Sequence, residues 1–126
     1  MKIIISNGSS IPIYEQIKNQ IISQIMSDEL SEGDSIPSIR SLANDIKISV
    51  MTIKKAYDEL ESEGYIKSVQ GKGTFVAPKN IELAKEKANK EIENHIIKII
   101  DIADKFNINK KEIIDVFEFI YKGDKQ

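Results

Sequence analysis

Residues 35–77 read SIPSIRSLANDIKISVMTIKKAYDELESEGYIKSVQGKGTFVA, and this stretch decides the fold. Its first half holds two segments whose apolar residues recur every three or four positions, the pattern of amphipathic helices. Its second half holds two β-branched and aromatic runs, YIKSV at 65–69 and TFVA at 74–77, around the loop QGKG at 70–73. Such runs predict a β-hairpin with a glycine-bearing loop.

The two predicted helices both begin at a serine. Ser38 is expected to cap a short helix that ends near residue 46, and Ser49 to cap a longer helix that Gly64 ends. Upstream, residues 11–28 place isoleucines four apart and predict a further amphipathic helix, with residues 30–37 as a connector. Three helices with a tight turn between the last two resemble a helix-turn-helix, and the hairpin adds a wing. The opening MKIII offers one more short strand, for which the sequence fixes no partner.

The sequence changes character after Pro78. A Lys- and Glu-rich helix is predicted from about residue 81 to 106, and Asn109 with Glu112 three positions later predicts the start of another. Apolar residues cover more than half the circumference of both helices, which is more than one neighbouring surface covers. We therefore expect a second copy of the chain to cover them in a homodimer; the alternative is a helical pair folded back on the first domain. The residues expected at the dimer contact are Ile92, Ile96, Ile99, Ile100, Ala103, Ile113, Phe117, Ile120 and Tyr121.

These elements predict an α+β fold that is mostly α, with a winged helix-turn-helix domain at 1–77 and a helical dimerisation tail at 78–126. The chain has 126 residues, too few for a large enzyme, and its 40% hydrophobic residues are enough for a core. It contains no cysteine, no apolar run of membrane-spanning length and no secretory signal at its start. A cytoplasmic location without a membrane contact is expected.

Charge is unevenly distributed, although the formal net charge is only −2. Residues 35–57 hold four basic residues and one acid, and residues 65–79 hold three lysines and no acid. The remainder of the chain is acidic, so a positive face on an acidic body is expected, as suits a phosphate backbone. The alternative is a set of solvated lysines without a ligand.

Candidate DNA contacts lie on the same two positive segments. A helix-turn-helix presents the start of its second helix to the major groove, where hydroxyls, lysines and apolar side chains reach base edges and phosphates. Arg40, the only arginine, suits bidentate contacts, and the glycine-bearing loop suits a close approach to the minor groove. Each residue also has a purely structural interpretation: Met51 as a core margin, Thr52 as a helix-start hydroxyl and the glycines as turn formers. The candidates are Ser38, Arg40, Ser49, Val50, Met51, Thr52, Lys54, Lys55, Gln70, Gly71, Lys72 and Gly73.

Three pieces of sequence, GDSIPSIRSLA at 33–43, MTIKKAYDELESEG at 51–64 and QGKGTFV at 70–76, occur in this order and spacing. Over residues 11–77 the chain thereby resembles the winged helix-turn-helix head of GntR-type bacterial transcription regulators. The resemblance implies a sequence-specific DNA-binding dimer, mostly a repressor, with operator contacts from Ser38, Arg40, the start of the third helix, Gln70 and Gly71.

Two residues depart from that family pattern. Val50 stands where members often carry an arginine that reads guanine, so either the operator lacks that guanine or Lys54 reads it. Ser41 replaces a glutamate that often completes a capping box with the residue matching Ser38. The short tail resembles the YtrA-like branch, because it is too short for an effector-binding or aminotransferase-like domain.

Catalysis has little support in the sequence. The single histidine, His95, lies mid-helix among polar and apolar residues, and no metal-ligand spacing or nucleophile motif is present. We therefore expect no enzyme activity, no cofactor, no metal and no evident small-molecule effector. A winged protein-interaction module without specific DNA binding remains the alternative function.

Overall fold

The computed structural model describes residues 1–124, so the last two residues of the expected tail lie outside the described part. The chain forms two compact units, a head unit of residues 1–79 and a tail unit from residue 80 onward. The elements in chain order are α1 (Ile13–Met26), β1 (Ser35–Ile36), α2 (Ile39–Ile46), α3 (Val50–Ser62), β2 (Ile66–Val69), β3 (Gly73–Val76), α4 (Ile81–Lys105) and α5 (Lys110–Asp124). The predicted α+β class, mostly α, is confirmed.

The core of the head unit lies between α1 and α3. Ile17 and Ile21 of α1 meet Ile53 and Leu60 of α3, and all four are fully buried. The apolar spacing of both helices therefore predicted the buried faces correctly. At the rim, the Lys18 ammonium contacts the carboxylates of Glu59, at 3.0 Å, and Glu63. Burial lowers the pKa of Lys18, but hydrogen bonds to Glu63 and Glu59 outweigh burial and raise it overall.

The sheet contains a strand that the sequence did not predict. Ser35–Ile36, placed in the connector by the sequence, pairs antiparallel with β3, which also pairs with β2. The predicted loop was one residue too long, because Gly73 already pairs with Val69. Gly33 makes the turn into β1 at φ +86°, and its N–H donates to the Val76 carbonyl at 2.9 Å. The strand joins the wing to the segment that precedes α2.

The amino-terminal residues lie against α1 but do not form the strand that MKIII offered. Instead, the amides of Gln16, Gln20 and Gln24, spaced one turn apart on α1, bond their backbone. The Gln20 side chain accepts from the Ile4 N–H at 2.8 Å and donates to the Ile4 carbonyl at 2.6 Å. Gln16 does the same with Ser6 at 2.9 and 3.0 Å. Side-chain amides thus replace the partner strand, because they supply the same donor and acceptor as a peptide group.

The tail unit consists of α4 and α5, joined by a tight turn. The predicted capping box opens α5: the Asn109 side chain accepts from the Glu112 N–H, and Glu112 accepts from the Asn109 N–H, both at 2.9 Å. Ala103 is the one buried residue among the tail side chains that the structure describes, and it is 4% exposed. Among the described residues, no helix joins sufficient length to sufficient apolar character to cross a membrane.

Candidate nucleic-acid interface

A hydrogen bond from a side chain of α3 fixes the segment that precedes α2. The buried Tyr57 hydroxyl donates to the Pro37 carbonyl at 2.7 Å, one residue before the α2 cap. Burial raises the pKa of Tyr57, so the hydroxyl remains a donor at neutral pH. The Ser38 hydroxyl accepts from the Ser41 N–H at 3.1 Å, which confirms the predicted cap. Arg40, the second residue of α2, is exposed and pairs with no residue of the described chain.

In the first turn of α3, the hydroxyls of Ser49 and Thr52 contact one another, whereas the apolar side chains of Val50 and Met51 are exposed to solvent. The Ser49 hydroxyl caps the helix by accepting from the Thr52 N–H at 3.2 Å, and the two hydroxyls lie 2.8 Å apart. Thr52 is half-buried, and the next residue, Ile53, is fully buried in the core. Val50 and Met51 project from the helix, 46% and 77% exposed. The interpretation of Met51 as a core margin does not fit this exposure.

The two lysines of α3 are held by neighbouring side chains. The Lys54 ammonium lies 2.7 Å from the Asp58 carboxylate one turn later. The Lys55 ammonium lies 4.1 Å from the ring centroid of Tyr14 on α1, in a cation–π contact. Neither partner was predicted. The Asp58 pair has the i, i+4 spacing that indicates such a bridge, whereas Tyr14 is remote in sequence and only the fold brings it near.

The first strand of the wing, β2, is hydrogen-bonded to a side chain of α3. The Glu61 carboxylate accepts from the Ser68 N–H at 3.0 Å and lies 3.4 Å from its hydroxyl. At the tip, Gly71 has φ +78°, a conformation that a side chain disfavours, and the Lys72 N–H closes the turn onto the Val69 carbonyl at 2.9 Å. The exposed tip residues are therefore carried by a short, internally bonded turn. They are Gln70, Gly71, Lys72 and Gly73.

The predicted contact residues thus lie on three elements that pack directly on one another: α2 on α3, and α3 on β2. All are exposed except Thr52. The basic side chains of this region differ in their surroundings. The Lys54 ammonium contacts the Asp58 carboxylate, whereas several others contact no carboxylate among residues 1–124. The basic side chains on or next to these elements that have no ionic partner among the described residues are Arg40, Lys47, Lys55, Lys67 and Lys72.

The residues predicted for dimerisation differ in their exposure to solvent: Ala103 is buried, Ile113 is half-buried and the others are exposed. Ala103 is buried in its own unit, where its carbonyl accepts from the N–H groups of Phe106 and Ile108 at the turn. Ile113 is half-buried. The remaining predicted residues are exposed, and the rings of Phe117 and Tyr121 stack at 5.4 Å along α5. The exposed members are Ile92, Ile96, Ile99, Ile100, Phe117, Ile120 and Tyr121.

Two curated relatives from Bacillus subtilis (strain 168) resemble this chain. The uncharacterized HTH-type transcriptional regulator YhcF is 32% identical over 91% of this chain and 94% of its own length. The HTH-type transcriptional repressor YtrA is 44% identical, but the match spans only 55% of this chain and 53% of YtrA. Similarity therefore extends along the whole chain to one relative and over about half of it to the other.

Solved structures support the same placement. A transcriptional antiterminator from Listeria monocytogenes EGD-e superposes with a TM-score of 0.74 at 34% identity, over 96% of this chain and 90% of that one. YtrA from Sulfolobus acidocaldarius, a GntR-family transcription factor, gives 0.55 at 33% identity, over 98% and 100%. The DNA-binding domain of AraR, in complex with an operator, gives 0.51 at 35% identity, over 61% and 93%.

The family comparison agrees with these neighbours and with the fold. Residues 13–76 match the family described as bacterial regulatory proteins, gntR family, which covers the helix-turn-helix and the wing. The expected resemblance is therefore confirmed, and so is the expectation of a regulator rather than an enzyme. This chain belongs to the GntR family of bacterial transcription regulators.

Proposed function

We propose that this protein is a homodimeric repressor that binds a roughly palindromic DNA operator in the cytoplasm. The observation that carries the proposal is a pair of exposed cations that have no ionic partner among the described residues, Arg40 on α2 and Lys72 in the wing turn, on elements that pack with α3. A guanidinium fork and a mobile ammonium are the groups that bind phosphate oxygens and guanine. The operator complex of the similar AraR domain supports this use of the head unit.

The contacts divide by chemistry. Ser38 and Arg40 are proposed to bind the backbone and fix the position of the head on the duplex, because α2 crosses the phosphates in a helix-turn-helix. The exposed start of α3 enters the major groove, with Ser49, Val50, Met51 and Thr52 at its tip. Lys54 and Lys55 follow one turn later. Gln70 and Lys72 carry the wing into the adjacent minor groove, where the glycines allow close approach.

Dimerisation is proposed from the exposed apolar side chains of the tail unit. Large isoleucine and phenylalanine side chains exposed along both helices are unfavourable in water, at about 25 cal/mol per Å² of apolar surface. A second tail of the same kind covers them with matching chemistry, as expected for a symmetric contact. Two heads on one dimer then face two half-sites, which gives the palindromic operator. Repression follows the curated name of the similar YtrA.

A gel-shift titration with genomic fragments at two salt concentrations tests the proposal. Arg40→Ala is expected to abolish operator binding while the dimer persists. Lys72→Ala is expected to weaken binding on all sequences and to flatten the salt dependence by about one unit. Lys85→Ala, at an exposed lysine of α4, is the matched control and is expected to bind as the parent does.

The alternative function is a protein-interaction module. An exposed winged surface is consistent with such a module, but the module gives no role to Arg40 and Lys72, which have no ionic partner among the described residues. It predicts no specific shift and no steep salt dependence, whereas a DNA-binding protein loses affinity steeply with salt. Sequencing the DNA that crosslinks to the protein separates the two and identifies the operator. Recovery of no preferred sequence would reject operator binding.

A further inference from the structure

The start of α3 offers few free hydrogen-bonding groups for reading bases. The Ser49 and Thr52 hydroxyls lie 2.8 Å apart and face one another, and Ser49 also accepts from the Thr52 N–H. One of the two O–H donors is therefore used within the first turn, whichever hydroxyl donates, and the Ser49 oxygen also accepts there. The side chains between them, Val50 and Met51, are 46% and 77% exposed and have no polar donor.

The lysines that could replace a missing donor are also engaged. Lys54, which the sequence offers as a reader of guanine in place of Val50, lies 2.7 Å from Asp58. Reading guanine would require this ion pair to break and would leave Asp58 beside the negatively charged duplex. The Lys55 ammonium lies over Tyr14, on the side of α3 that faces α1. The accessible tip of the recognition helix is thus apolar.

We propose that Val50 and Met51 read thymine through its C5-methyl group, so that each operator half-site carries thymines where α3 enters the groove. This inference rests on the proposed function and names the base class that its site selects. Thymine is the one base that presents a methyl group in the major groove, and apolar side chains recognise it there. The flexible, polarisable thioether of Met51 adapts to the methyl surface.

The first experiment selects bound duplexes from a random library with the full-length protein. Enriched half-sites are expected to contain one or two fixed thymines. Each of these is then replaced by deoxyuracil, which keeps every hydrogen-bonding group and removes only the methyl. Burial of one methyl group corresponds to roughly a fourfold change in affinity, so each replacement at a contacted position is expected to weaken binding about fourfold.

Protein variants test whether a side chain of α3 causes the loss of affinity that follows removal of the thymine methyl group. Met51→Ala is expected to bind thymine and deoxyuracil duplexes with nearly equal affinity at the contacted position. Met26→Ala, at an exposed methionine near the end of α1, is the matched control and is expected to keep the fourfold difference. Lys54→Met is expected to lower affinity for all sequences alike and to keep the thymine preference.

Different outcomes overturn different claims. A preferred sequence whose affinity is unchanged by deoxyuracil overturns thymine readout and leaves operator binding standing. A fixed guanine whose preference disappears in Lys54→Met also overturns it, because Lys54 then leaves Asp58 to read that base. Selection of no preferred sequence overturns the proposed function itself, together with this inference.

Discussion

The head unit and the tail unit differ in where they place their apolar residues. In the head unit, α1, α3 and the sheet bury isoleucine, leucine and valine side chains almost completely. In the described tail unit, Ala103 alone is buried, and phenylalanine side chains as exposed as Phe119, at 81%, line α5. Both units contain regular, capped helices, so helix formation does not distinguish them. The head contains the core that stabilises it, whereas the helices of the tail require another surface.

This difference predicts two kinds of stability. The free energy of unfolding of the head is expected to be independent of protein concentration, because its core is internal. The free energy of unfolding of the tail is expected to rise with concentration, because the proposed association with a second copy would stabilise the tail by mass action.

Phe117→Asp is expected to have the largest effect. A carboxylate at this exposed apolar position of α5 is incompatible with burial at a dimer contact. The variant is expected to sediment as a monomer and to lose about 100-fold or more in operator affinity, because the two heads no longer bind as one linked pair. Sedimentation velocity and gel shift measure the two effects.

The matched control for Phe117→Asp is Lys111→Asp, which adds an acid at a polar, exposed position in the first turn of α5. This control is expected to remain a dimer. If Phe117→Asp also sediments as a dimer, the proposed tail contact is wrong; a parent protein that sediments as a monomer would instead support a tail folded on the head.

Gln16→Ala is expected to destabilise the head by about 1–3 kcal/mol, because it removes the partner of three half-buried backbone groups. The Gln16 amide bonds the Ser6 N–H and carbonyl and also the Ile11 carbonyl at 2.8 Å. Urea denaturation at two protein concentrations measures the loss, which is expected to be the same at both. The control is Gln20→Ala, whose bonds to Ile4 are solvent-exposed and whose loss is expected to cost less.

Tyr57→Phe is expected to cost about 1 kcal/mol at neutral pH, the usual value of one hydrogen bond. The lost bond joins Tyr57 to the Pro37 carbonyl, and its loss frees the segment before Ser38. Because burial raises the pKa of Tyr57 above that of the unfolded chain, its contribution is complete below about pH 10 and is lost as the pH rises further. The stability of the parent is therefore expected to fall more steeply above pH 10 than that of Tyr57→Phe. Identical alkaline limbs in the two denaturation profiles would contradict this assignment.

Lys18→Met is expected to have a small effect, below about 1 kcal/mol, because the ion pairs with Glu59 and Glu63 are partly exposed. The pKa of Lys18 is raised, so this stability is present below pH 10.5 and declines above it. Lys54→Met, at the exposed pair with Asp58, is the comparison and is expected to change stability by about 0.5 kcal/mol or less. Thermal unfolding at pH 7 measures both.

Local patterns predicted most of the fold. Helix positions, the serine caps at Ser38 and Ser49 and the Asn109 capping box all follow from residues within four positions of one another. Ser35–Ile36 could not be predicted, since two residues carry no period and their pairing depends on β3, about forty positions later. The candidate contacts are exposed, except Thr52, which is half-buried.

The surroundings of the cations were harder to predict than their positions. Contact of Lys55 with Tyr14 depends on the packing of α1 against α3, which no local pattern contains. The pair formed by Lys54 and Asp58 has a recognisable spacing, but the sequence alone did not choose between that pair and a guanine contact. The structure favours the ion pair, and this is why the operator is expected to carry thymine at that position.

The glutamine contacts of α1 have an evolutionary consequence. They hold the amino-terminal segment by its peptide groups at Lys2, Ile4 and Ser6, and not by the side chains of those residues. Most amino acids are therefore expected to be tolerated at these three positions. Proline is the exception at Ile4 and Ser6, because it lacks the N–H that these two residues donate. The conformation of the segment is encoded elsewhere, in the amides at Gln16, Gln20 and Gln24, and selection is expected to act there.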